Sequence, residues 1–141
     1  MSDGYAMLAQ DHRDVEAWLD ACEREEDRGA VHTLATELAR HHAVGEDVLY
    51  PAVRTMITDG AELVDAARDE DAVIGTLMAR AMEAPPEDLS PLVDELRVLM
   101  GSHVTREEQE MLPRLRDSGI RAETLGAHVE AARDAFSARG S

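Results

Sequence analysis

The chain has 141 residues and carries 30 Asp plus Glu against 14 Lys plus Arg, a formal net charge of −16. That length bounds it to one core-forming unit, and that charge excludes nucleic acid and anionic membrane as main partners, because phosphate recognition needs clustered cations. Cys22 is the only cysteine, which excludes an intramolecular disulfide and a thiolate metal cluster and suits a reducing, cytoplasmic setting.

The N-terminal Met-Ser-Asp-Gly-Tyr-Ala-Met-Leu segment lacks the basic and apolar regions of a signal peptide. No stretch reaches the ~20 apolar residues of a membrane span. Ala, Leu, Glu and Arg dominate, and aromatics are scarce, so the elements read as helices. The first runs from about Asp3 to Asp27, with Met7, Leu8, Val15, Trp18, Leu19 and Cys22 on its apolar stripe. The second runs from about Ala30 to Thr58 on Val31, Leu34, Leu38, His42, Leu49 and Val53, and Asp59-Gly60 turns the chain. The third, Ala61 to Glu83, ends at Pro85-Pro86. The fourth starts near Ser90 as N-cap, with Pro91 at its first position, and stops at Ser118-Gly119. A fifth, Arg121 to Ala138, packs Leu125, Val129, Ala132 and Phe136 on the rest. Long helices with short connections predict an all-α, antiparallel up-down-up-down four-helix bundle over 1–118, with a C-terminal helix in 119–141 packed on it.

Polar chemistry interrupts the stripes. His12, His42 and His103 each fall where an apolar residue is expected. Glu46 lies one turn after His42, and Tyr50 one turn further. A buried carboxylate needs a partner, and the chain has no Lys. A cation is the natural partner, and histidine with carboxylate suits iron, manganese or zinc. The second and fourth helices are weak copies: His42 precedes Pro51 by nine residues, and His103 precedes Pro113 by ten. The extra residue predicts a π-bulge in the fourth helix. Counted back from the proline, Glu108 matches Glu46; counted forward from His103, Glu107 does. Glu108 is the favoured counterpart. On the third helix Glu70 and Asp71 interrupt the stripe, and one of them faces the site. His32 and His41 lie off the stripe and are expected to be exposed, as is His128 on the fifth helix unless it packs.

Asp11-His12, the run from His42 and Glu46 to Tyr50-Pro51, and His103 with Glu108 resemble the hemerythrin-like, or HHE cation-binding, domain family over residues 5–117. The resemblance implies a four-helix bundle holding two non-haem irons bridged by an oxo or hydroxo group. It implies Glu46 and Glu108 as bridging carboxylates and His12, His42 and His103 as terminal ligands. It also implies small-molecule partners: O2, H2O2 or NO. The third helix departs from that pattern, with Ala67 and Asp71 where the family usually has histidine. Fewer nitrogen and more oxygen donors, Tyr50 among the candidates, favour the ferric state. The expectation is therefore a peroxide-handling, catalase- or peroxidase-like protein, monomeric or weakly dimeric, and not a simple O2 carrier. Two alternatives stay open: an iron, O2 or NO sensor or store without turnover, and a metal-free helical interaction module.

Overall fold

The computed structural model describes residues 2–25 and 28–140. Helix α1 (Gly4–Glu25) starts where Asp3 Oδ1 accepts the backbone N–H of Tyr5 and Ala6 at 2.9 and 3.2 Å. Its expected end at Asp27 lies outside the described residues. Helix α2 (Arg28–Val44) passes through a π-turn, π1 (Gly45–Leu49), into α3 (Tyr50–Met56) as one rod. Helix α4 (Gly60–Glu83) begins at a glycine that no other residue replaces easily, since a Cβ on Gly60 would stand 2.0 Å from the Val53 carbonyl oxygen.

The second long rod is α5 (Pro86–Thr105), π2 (Arg106–Met111) and α6 (Leu112–Asp117), and Gly119, at φ 96°, turns the chain toward α7 (Ala122–Arg139). The start expected at Ser90 is corrected: α5 begins at Pro86 and carries Pro91 inside it. Pro86 is preset for a first helical position, and burial of Leu89 draws the extra turn onto the core.

The π-bulge expected in the fourth helix is present, and a second one, unexpected, lies in the rod of α2 and α3. Each precedes a proline. Pro51 and Pro113 cannot donate to the carbonyls four residues back, and their rings crowd those carbonyls. The widened turn removes the conflict. Tyr50 N–H then bonds Gly45 O, and Leu112 N–H bonds Glu107 O, five residues back in both rods.

The described residues form a helical bundle without strands. Two apolar cores fill it. One joins Val15, Leu19, Leu34, Leu38, Ile74 and Leu96; the other joins Leu8, Leu49, Val53, Val64, Met111 and Leu115. Helix α7 lies against α1, α2 and π1. No helix among the described residues is long and apolar enough to cross a membrane.

Candidate metal centre

Between the two cores each long helix substitutes polar groups for apolar ones. His12 stands between Leu8 and Val15 on α1, and His41 between Leu38 and Val44 on α2. Asp71 stands between Ala67 and Ile74 on α4, and His103 follows Met100 on α5. His12, His41, His103 and Glu107 are all buried, with Glu107 only 1% exposed, and one ligand atom from each lies within 4.8 Å of every other.

The three Nε2 atoms converge on the Glu107 carboxylate. His12 Nε2 lies 3.1 Å from Oε1, and His41 Nε2 lies 3.4 Å from Oε2. His103 Nε2 touches Oε2 more closely, and it lies 3.4 Å from His41 Nε2. The outward Nδ1 atoms each meet a different acid: His12 with Glu108 Oε2 at 2.7 Å, His41 with Asp11 Oδ2 at 3.3 Å, and His103 with Asp71 Oδ1 at 3.5 Å. The His103 Nδ1 atom is buried without a hydrogen bond.

Those acids have partners of their own. Tyr50 OH donates to Asp71 Oδ2 at 2.6 Å, and His42 Nδ1 lies 3.2 Å from the same oxygen. Arg133 Nη2 donates to Asp11 Oδ1 at 2.7 Å.

Charge follows this geometry. Burial alone would lift the Glu107 carboxyl, but His103 and His41 outweigh it and hold the group well below the usual carboxylate range. Burial would likewise lower His41, but Glu107 and Asp11 raise it to about 10. Burial, with Asp71 beside it, pushes the Tyr50 phenol up, so it stays a neutral donor.

This donor set fits a cation. Four ligands at about 2.1 Å from one ion, arranged tetrahedrally, stand about 3.4 Å from one another. Three of the six pairwise separations, His12–Glu107, His41–Glu107 and His41–His103 at 3.1, 3.4 and 3.4 Å, lie near that spacing, and all pairs are within 4.8 Å. The carboxylates bonded to Nδ1 of His12 and His41 are outer partners of the kind that metal-bound histidine uses to fix its tautomer, and Asp71 stands 3.5 Å from Nδ1 of His103. A cavity of about 390 Å³ between α2 and α4, walled by Ala35, Ala39, Ala72 and Gly75, reaches His41, His103 and Asp71.

The structure thus brings His12, His103 and Glu107 together and sets Asp71 and Glu108 one step behind, with Tyr50 on Asp71. Four expectations about position change, and of Glu70 and Asp71 it is Asp71 that stands beside the centre. His42, expected on the core stripe, is 49% exposed in its side chain and meets Asp71 at the rim. His41, expected to be exposed, occupies the centre. Glu46 turns outward, where Arg68 Nε donates to both its oxygens at 2.9 and 3.0 Å. Glu70 pairs with Arg106 and accepts from Ser102. Of the fourth-helix acids, Glu107 is the buried one, and Glu108 keeps a 34% exposed side chain.

A signal for His41 was present. Pro51 follows His41 by ten residues, the same interval as His103 to Pro113, and Leu34, Leu38 and His41 keep helical spacing. In that register Gly45 matches Glu107. The contributions of Asp11 and Arg133 depend on contacts across the fold and have no local signal.

The family model described as the hemerythrin HHE cation-binding domain matches residues 3–115. No curated protein and no solved structure matches the chain. The matched segment holds all four centre residues, and the chain belongs to the hemerythrin HHE cation-binding domain family.

Proposed function

We propose that the chain is a cytoplasmic non-haem iron protein that decomposes peroxide, with one ion held by His12, His41, His103 and Glu107. Three buried imidazoles converging on one buried carboxylate carry this reading. Nitrogen and oxygen donors without sulfur suit iron, and the carboxylates around them favour its ferric state. Bound iron would supply the redox couple that peroxide decomposition needs. The chain's own part is to fix the donors, screen them from bulk water and admit a small reactant. Glu108 and Asp11 hold the His12 and His41 rings, Asp71 lies beside His103, and the small residues of α2 and α4 leave the way in.

A second reading keeps the two bridged ions that the family resemblance implies, within an antiparallel up-down-up-down bundle. Asp71 and Glu108, both beside the centre, favour it. Against it, Gly45 stands where the paired rod has Glu107, and Arg68 occupies Glu46. Metal analysis of iron-loaded protein decides between one and two ions per chain. The loaded protein is expected to consume H2O2, and His103→Ala and Glu107→Ala to abolish both iron retention and turnover. A stable, reversible oxy spectrum on mixing the reduced protein with O2 would replace this reading by an O2 carrier. Iron uptake without peroxide consumption would replace it by a sensor or store.

A further inference from the structure

Residues 3–115 match the family model, and α7 lies beyond them. Yet α7 is tied to the centre. It docks through Leu125, Val129 and Ala132, all buried, and through a backbone approach so close that a Cβ on Gly126 would stand 2.2 Å from Ser2 O. One turn after Val129 the same face presents Arg133. Its Nη2 donates to Asp11 Oδ1 at 2.7 Å, and the other oxygen of Asp11 lies 3.3 Å from His41 Nδ1.

Asp11 is 4% exposed, so its charge needs a cation at hand. His41 faces the other oxygen, and Arg40 stands farther from Oδ1, at 3.8 Å. Arg133 therefore does two things. It ties α7 to Asp11, and by occupying Oδ1 it turns Oδ2 to His41. Asp11 in turn holds a proton on His41 Nδ1, so that Nε2 is the nitrogen turned to the centre. All three outer carboxylates, Asp11, Asp71 and Glu108, lie within the matched segment, and Asp11 alone takes a cation from beyond it.

We propose that the C-terminal helix is a working part of the centre: Arg133, acting through Asp11, is a positioning residue for His41 as a metal ligand. The proposal rests on the metal-centre reading above, and its test separates the two. The probe is Co(II) bound to the full chain, followed by titration calorimetry and by the visible ligand-field spectrum.

Arg133→Met keeps the bulk of the side chain and removes its charge. It is expected to weaken Co(II) binding about tenfold, the lower end for an outer-partner loss, and to alter the spectrum. Asp11→Asn should do the same, and the double variant should lose no more than the larger single loss. Arg133→Lys, a point charge without the planar fork, should recover part of the affinity. Val129→Ala loosens the packing of α7 without touching Asp11, so it should lower Tm and leave affinity and spectrum unchanged.

A wild-type chain that takes up no Co(II) refutes the metal centre and this proposal with it. A wild-type chain that binds, with Arg133→Met equal to it in affinity and spectrum, refutes the proposal alone. So does a Val129→Ala variant that loses affinity as Arg133→Met does, since packing would then explain the effect.

Discussion

His41→Ala and His42→Ala differ by one position and should differ sharply in metal binding. The His41 ring is 5% exposed and places Nε2 3.4 Å from the Glu107 carboxylate and 3.4 Å from His103 Nε2. Removing it deletes one of four converging donors. Loss of an outer partner weakens metal binding by roughly 10–100-fold, so loss of a donor itself should exceed about 100-fold, or about 2.8 kcal/mol. The metal-free protein should suffer as well, because a buried ring is lost and Glu107 keeps one imidazole fewer. A penalty of about 2–4 kcal/mol lowers Tm by about 6–12 °C in a domain of this size. The His42 ring is half-exposed and touches Asp71, itself behind His103. Its removal should cost less than tenfold in affinity and about 1 kcal/mol or less in stability. Calorimetric titration with Co(II) and thermal unfolding without metal read both quantities. A His42→Ala variant that loses metal while His41→Ala retains it would refute the reasoning and rotate α2 by one residue, with Glu46 turned inward.

Glu46→Gln should leave metal affinity within about threefold and stability within about 1 kcal/mol, because the Arg68–Glu46 pair is partly exposed to water at the surface; a loss of metal in a titration would restore Glu46 to the centre. Tyr50→Phe removes a donor to a charged carboxylate while the ring still fills its place, so unfolding should show a loss of about 1.5–3 kcal/mol. The same variant should leave the visible spectrum of the iron-loaded protein unchanged, since the raised phenol stays protonated; disappearance of a visible band would show that Tyr50 ligates. Gly126→Ala forces a Cβ against the Ser2 carbonyl and should destabilise the chain by about 1–3 kcal/mol in denaturant unfolding; an unchanged midpoint would mean that α7 is not held at this approach.

The helices and their stripes are legible in the sequence because burial imposes a 3.6-residue period on both apolar and polar positions. His12 and His103 stand out for that reason. The period carries a reader only as far as the helix stays regular. Upstream of π1 the buried series is Leu34, Leu38 and His41; downstream it is Leu49 and Val53, which extrapolates back to Glu46 and His42. The two series differ by one residue, which is the residue that π1 absorbs. Each histidine fits one series, so the choice depends on knowing where the irregular turn lies. Prolines supply that knowledge. Pro51 and Pro113 both force the preceding turn open, and with equal spacing from His41 and His103 the two rods superpose without a gap.

The same irregularity decides between Glu107 and Glu108. In a regular helix Glu107, four residues after His103, shares its face, and π2 opens only beyond Thr105, after that face has been set. The widened turn leaves Glu107 pointing with His103 into the bundle and carries Glu108 sideways toward α1, where His12 Nδ1 meets it. At the matching place in the other rod Gly45 has no side chain to send inward, and the Tyr50 ring lies beside it; a Cβ there would stand 3.4 Å from the ring. The centre is therefore built from one half of a repeated rod and completed by α1, α2 and the acids behind them. Arg133 belongs to that completion, yet 122 residues separate it from Asp11. No periodicity within α7 reports such a pairing, because the arginine serves a carboxylate on a different helix.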